Sequence, residues 1–289
     1  MKRWAGRCLA AASLATLAGV LIQMAGCAVF AGPDSDRRIA RRVGAASGYR
    51  SCSAVAAGRS IHWVETGRTG APAVIFVHGS PGSWSAFERY LEDPELAARF
   101  RLISVDRPGF GRSGLGRAMP SLRRQAEALA AVWRDWEEGR RALLVGHSLG
   151  GPVAARMAAR APERVAGLLL LAPSVDPALE NVRWYQHFGH VPPFRWLLPL
   201  DIRATNDEIY PLRRELERLA PEWRRIDAPV IALHGADDNL VPAGNLRFLR
   251  ERLPSADLRR LEDQNHFLVW NRYEAVKGAL LALAERAGR

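Results

Sequence analysis

Beyond residue 58 the chain is built from short, unbroken apolar runs separated by amphipathic stretches. Residues 59–66 (RSIHWVET) read as a strand and Ala73–Val77 (AVIFV) as a buried one. Arg101–Val105 (RLISV), 142–145 (ALLV), Val165–Leu171 (VAGLLLL) and 230–233 (VIAL) continue the series. Helix-period patterning between and after them predicts helices over 121–138, 152–160 and 273–286. Strands apolar at every position, rather than every second one, suit burial on both faces. The pattern therefore predicts an α/β fold, a mostly parallel central sheet flanked by helices. The rhythm breaks at about 173–226, where no apolar strand run occurs. Trp184, Tyr185, Phe188, Phe194, Trp196 and Tyr210 lie there among prolines and arginines. This stretch is expected to be a short helical lid inserted between two strands.

Composition narrows the class. With 289 residues, 48% hydrophobic and 25% charged, the chain is neither disordered, collagen-like nor a disulfide scaffold. Its length allows one large domain or two small ones. The alternation running from 59 to 289 favours one, behind a segment 1–31 and a linker and lead-in 32–58. The net charge of +11 is unevenly placed: +6 falls within residues 1–50, leaving +5 for the other 239. The body holds no basic run interleaved with aromatics, so no nucleic-acid partner is expected.

Lys2, Arg3 and Arg7 precede a run, 8–31, without a charged residue. A positive region followed by an apolar one is the layout of a secretory signal. At 24 residues the run also exceeds the roughly 20 needed to span a bilayer. Met24-Ala25-Gly26-Cys27 resembles a bacterial lipobox, which makes Cys27 a lipidation candidate. Arg37, Arg38, Arg41 and Arg42 follow closely and oppose translocation, leaving orientation open. The expectation is membrane attachment at a bacterial cell envelope. With Cys8 inside the segment, only Cys52 remains in the body, so no disulfide framework is expected.

The strongest local signal is Gly146-His147-Ser148-Leu149-Gly150, a G-x-S-x-G pattern with a strand before it and a helix after. A sharp strand-to-helix turn projects the Ser148 hydroxyl over the sheet edge. The helix start behind it offers unpaired N–H groups and a partial positive charge. A Ser hydroxyl is a weak nucleophile, so a base must take its proton.

Four further motifs share the chain with this turn: His78-Gly79-Ser80-Pro81-Gly82, Asp106 to Ser113 (DRPGFGRS), Gly235 to Pro242 (GADDNLVP) and Asn265-His266-Phe267. In this order the five resemble the α/β-hydrolase superfamily over 59–289. The resemblance implies Ser148 as nucleophile and His266 as base. It implies Asp238 as the acid, four residues before Pro242, with Asp176 as an alternative, and gives Asp237 a turn-capping role. Backbone N–H groups of Ser80 and Leu149 would form the oxyanion hole, and Asp106 to Ser113 would be architectural. His78 and His147 are assigned structural roles. His62 and His234 are read as strand histidines, and His187 and His190 as loop residues. Trp84, Trp184 and Trp196 are candidate pocket walls, while Trp133 and Trp136 are expected in the core.

A serine at the turn, rather than the aspartate of epoxide hydrolases and dehalogenases, points to acyl transfer to water. The expected activity is carboxylesterase- or lipase-like hydrolysis of carboxylic esters through an acyl-enzyme, without metal or cofactor. Proline-iminopeptidase-like chemistry, carbon–carbon bond hydrolysis and a non-catalytic binding role remain alternatives. The sequence assigns no oligomeric state.

Overall fold

The computed structural model describes residues 48–288, apart from 135 and 138. The 8–31 run and Cys27 lie outside the described residues. Eight strands form one sheet: β1 (Arg50–Ala56), β2 (Arg59–Gly67), β3 (Ala73–Val77), β4 (Arg101–Val105), β5 (Ala142–His147), β6 (Val165–Leu171), β7 (Val230–Gly235) and β8 (Asp257–Leu261). Their order across the sheet is β1-β2-β4-β3-β5-β6-β7-β8. β2 runs antiparallel to β1 and β4, and every other neighbouring pair is parallel.

The unbroken apolar runs become the central strands because both of their faces are covered. Successive side chains on a strand point to opposite faces. Ile75 and Val77 of β3 accordingly enter one core, while Val74 and Phe76 enter the other. The first core takes Leu122 and Leu129 from α1 (Leu122–Leu129) and Val153 and Met157 from α2 (Gly150–Arg160). Between β6 and β7 lie two short helices, Trp184–Phe188 and Phe194–Leu197, followed by α3 (Leu200–Ile209) and α4 (Leu212–Leu219). The second core takes Val276, Leu280 and Leu283 from α5 (Tyr273–Ala287). Among the described residues no helix is long and apolar enough to cross a membrane.

Two expectations change. Part of the expected lead-in is a strand, β1, which pairs with β2 from Arg50↔Glu65 to Ala56↔Arg59. Its sequence RSCSAVA has one buried residue, because an edge strand needs no apolar face on either side. The two residues between the strands, Ala57 and Gly58, both have positive φ, the conformation of a two-residue hairpin turn. The helix expected over 121–138 ends at Leu129 and continues as a 3₁₀ turn, Ala130–Trp133. Tertiary contacts take over there: Arg134 donates to the Val55 carbonyl at 2.8 Å, and the Arg101 and Arg140 guanidiniums lie over the Trp136 ring.

The strand order also fixes where a ligand can sit. From β3 the chain moves to β4 on one side, and then crosses to β5 on the other. The connections leaving β3 and β5 therefore pack on opposite faces of the sheet, and the carboxyl ends between them are the switch point at which open α/β sheets bind ligands. The loop after β3 contains His78 to Gly82, and the turn after β5 contains Ser148.

Candidate active site

Ser148 follows β5 and precedes α2, with φ of +53°. A non-glycine residue there costs on the order of 1–3 kcal/mol and persists only when its surroundings enforce it. The enforcing contacts are backbone ones. The Ser148 N–H donates to the Leu171 carbonyl at 2.9 Å, and its carbonyl accepts from Gly151 at 2.9 Å. Gly150 makes the turn possible: a Cβ there would lie 2.2 Å from the Val77 carbonyl oxygen. The loop after β3 presses against the same point, since a Cβ on Gly79 would lie 2.9 Å from Ser148 Cβ. Ser148 is 7% exposed.

His266 lies between β8 and the short helix Leu268–Asn271, and Asp238 lies just beyond β7. His266 Nδ1 donates to Asp238 Oδ2 at 2.7 Å, which leaves Nε2 as the acceptor of the neutral ring. Asp238 Oδ1 accepts from the Leu240 and Val241 N–H groups at 3.0 and 2.8 Å. His234 Nε2 lies 3.4 Å from Asp238 Oδ2. Burial alone would raise the Asp238 carboxyl, but the hydrogen bonds from His234 and His266 outweigh it and hold it well below the usual range. It is an anion at any neutral pH, oriented by fixed donors.

His147, next to Ser148, connects the two halves. Its Nε2 donates to the His266 carbonyl at 3.1 Å, and the two rings lie 4.9 Å apart. Burial, aided by neighbouring His266, pushes its pKa down to about 3. His147 is therefore a neutral strut. His78 is also neutral, its pKa lowered by burial and by the Arg107 charge. The remaining candidates fall as follows. Asp176 caps a turn through its bond from Ala178 N–H at 2.8 Å, so the acid that meets His266 is Asp238. Asp237 is exposed, its N–H bonded to the Gln264 carbonyl. Among the described residues neither the Ser80 nor the Leu149 N–H donates to a protein acceptor. No group of His, Cys, Asp and Glu among them could hold a metal ion.

The aromatic candidates separate. Trp84, expected as a pocket wall, is 2% exposed and packs in the core with Phe76 and Phe87. Its N–H donates to Asp106 Oδ1 and its carbonyl accepts from Ser104, so backbone bonds hold it beneath the loop. Trp184 and Trp196 are 58% and 69% exposed on the insertion, and Trp184 meets Phe188 edge-on at 5.9 Å. Trp133 lies in the core, as expected.

A hydrogen-bonded Ser–His–Asp chain elsewhere in the fold escaped the sequence. His62 Nδ1 is 2.7 Å from Asp106 Oδ2, and His62 Nε2 is 3.0 Å from Ser51 Oγ. Its construction is that of a staple. Ser51 sits on the regular strand β1, the Arg112 guanidinium donates to its Oγ at 3.1 Å, and Asp106 also accepts the Trp84 and Arg112 N–H groups. Hydrogen-bonded Ser, His and Asp side chains are thus not enough. What singles out Ser148 is the strained turn, the helix start behind it and the loop pressed against its Cβ.

The sequence profile of the Alpha/beta hydrolase family matches residues 74–279. A pimeloyl-[acyl-carrier protein] methyl ester esterase of Nitrosomonas europaea is 28% identical over 236 residues, covering 69% of this chain and 89% of that protein. A 2-hydroxy-6-oxononadienedioate/2-hydroxy-6-oxononatrienedioate hydrolase of Burkholderia vietnamiensis is 29% identical over 265 residues, covering 78% and 91%. The crystal structure of an α/β-hydrolase fold protein from Burkholderia ambifaria superposes with a TM-score of 0.67 at 24% identity, covering 80% of this chain and 97% of that one. The profile spans all the central parallel strands and the loops that carry Ser148, Asp238 and His266, and on that match the chain belongs to the α/β-hydrolase family.

Proposed function

We propose that this hydrolase cleaves carboxylic esters with Ser148 as nucleophile, His266 as base and Asp238 as the orienting acid. Ser148 Oγ attacks the ester carbonyl while His266 Nε2 takes its proton. The negative charge that develops on the carbonyl oxygen is met by the N–H groups of Ser80 and Leu149, donors of a kind typically worth about 10²–10³ in rate each. Collapse breaks the bond to the leaving alcohol, which takes the proton from His266 and departs, leaving an acyl ester on Ser148. His266 then deprotonates a water that attacks this ester. The acid product leaves and the proton returns to Ser148. Asp238 holds the Nδ1–H tautomer throughout and stabilises the imidazolium in each half.

The observation that carries this reading is the positive φ of Ser148 on a strand-to-helix turn, beside a buried His266–Asp238 pair. Ser148→Ala is expected to lower turnover by about 10⁶, the scale seen where a triad acts as a unit. A fluorophosphonate probe should label the parent at Ser148 and leave the variant unlabelled. Unchanged ester turnover in the variant would falsify the mechanism.

The 29% identity to a hydrolase acting on 2-hydroxy-6-oxo dienoic acids favours one second reading, cleavage of a carbon–carbon bond beside a ketone. A panel of esters of graded acyl length, a 2-hydroxy-6-oxo dienoate and aminoacyl amides separates the two. Ester turnover exceeding the others by 10-fold or more supports the first reading. We further propose membrane attachment through the 8–31 run. Fractionation of cells carrying the parent and Cys27→Ala tests it, and a parent wholly in the soluble fraction would refute it.

A further inference from the structure

Arg107, the second residue after β4, lies in the Asp106 to Ser113 loop, and its environment is not that of a simple architectural turn. It is fully buried, and all five guanidinium N–H groups are used. Nε donates to the His78 carbonyl at 2.8 Å. Nη1 donates to Gln125 Oε1 at 2.8 Å and to Glu208 Oε2 at 2.9 Å. Nη2 donates to the Gly79 carbonyl at 3.0 Å and to Ser80 Oγ. Ser80 Oγ in turn donates to Glu208 Oε2 at 2.8 Å, and Gln125 Nε2 donates to Glu208 Oε1 at 3.1 Å. The Arg107 and Glu208 side chains are 0% and 1% exposed.

The carbonyl held most firmly is that of Gly79. It accepts from Arg107 and from His78 Nδ1 at 2.6 Å, while His78 Nε2 accepts the Arg107 backbone N–H at 3.0 Å. A trans peptide is planar, so its N–H points opposite to its C=O. The peptide that presents the Gly79 carbonyl to Arg107 is the one that carries the Ser80 N–H. Fixing one end fixes the other, and the Ser80 N–H is turned out of the guanidinium cage. Glu208 comes from α3, in the insertion 128 residues further along the chain. A buried guanidinium without a counter-charge is strongly unfavourable, so the cage is complete only when α3 is seated.

We propose that Arg107 and Glu208 are positioning residues for the reaction: Arg107 aims the Ser80 N–H at the developing oxyanion, and Glu208 makes that aim depend on the seating of the insertion. This rests on the ester-hydrolase reading above, in which the Ser80 N–H is an oxyanion donor. The insertion thus acts on the transition state through Glu208.

The test uses the full-length protein and three variants. Glu208→Gln keeps the shape but removes the counter-charge and replaces one of the two accepting oxygens with a donor. Ser80→Ala keeps the backbone N–H but removes the hydroxyl that joins Arg107 to Glu208. Ser148→Ala reports on the underlying reading. For Glu208→Gln, kcat is expected to fall about 10²-fold, the scale of one mispositioned donor, with KM changed less than about 3-fold. Affinity for a boronic acid, which forms a tetrahedral adduct on the serine, should fall in parallel. Ser80→Ala should show the same pattern at about 10-fold, and decides the matter if Glu208→Gln does not fold. A purely structural role would lower the melting temperature of both variants while leaving kcat and boronate affinity at parental values, and that result overturns the proposal. If Ser148→Ala retains turnover, the ester-hydrolase reading fails and the proposal with it. An inactive Ser148→Ala beside a fully active Glu208→Gln and Ser80→Ala sinks the positioning role alone.

Discussion

Asp238 and His266 lie 28 residues apart in sequence and 2.7 Å apart in space. The carboxylate holds the imidazole with its proton on Nδ1, and an amide in its place can present its NH₂ to Nδ1 and favour the other tautomer. Asp238→Asn is therefore expected to lower kcat by about 10⁴ with little change in KM, read in steady-state ester hydrolysis. His147 cannot substitute, because its buried ring titrates only near pH 3. Gly150 acts through volume. Its absent Cβ would stand 2.2 Å from the Val77 carbonyl at the end of β3 and 2.5 Å from that of His78 in the loop after it. Gly150→Ala must push β3 and α2 apart. It is predicted to lose about 2–3 kcal/mol in urea unfolding, at the upper end for overpacking, and to lose activity as well.

At the scale of elements, legibility in the sequence followed burial. β3, β5, β6 and β7 were readable because nearly every residue is enclosed by helices on both faces, which writes an unbroken apolar run. β1 was not readable, since its partner supplies main-chain hydrogen bonds that leave no mark on side-chain type. β2 shows a different device. Glu65 is buried within it and accepts from Arg101, Arg50 and Trp63. Burial alone would raise its carboxyl, and these hydrogen bonds outweigh that and lower it. A lowered carboxyl stabilises the fold fully above its unfolded value of about 4.3, and that contribution is lost as pH falls through the native value. Glu65→Gln should cost about 1.5–3 kcal/mol at pH 7, the range for hydrogen bonds to a charged group. The gap between parent and variant should narrow as pH falls below about 4.3. Denaturant midpoints at pH 7 and pH 3.5 check this, and an equal gap at both would contradict it.

Over the whole molecule the same sign recurs. Asp93, Asp238 and Asp257 are lowered along with Glu65. Glu180 is raised by burial, which favours the folded state as it protonates and offsets part of the loss. In addition, burial holds His78 and His147 neutral, so the unfolded chain binds protons that the fold refuses once pH falls below the ordinary imidazole value of about 6.5. The melting temperature is therefore expected to be level above about pH 7, to decline from there and to drop steeply below pH 4. A melting temperature that rises on acidification would overturn this expectation. The net charge of +11, by contrast, says little about the folded body, because more than half of it lies in residues 1–50.

The sequence alone determined the fold class, the order of the central strands along the chain and the turn that carries Ser148. Each of these is written in short-range signals: apolar periodicity, glycines at a crowded turn, a serine between strand and helix. Only the tertiary structure decided which acid meets His266, that Trp84 belongs to the core, that His62 and Ser51 form a staple, and that Arg107 cages the Ser80 peptide with a carboxylate from α3. Those partners lie between 11 and 128 residues apart along the chain. Strand order and the seating of the insertion bring them together, and no local pattern encodes either one.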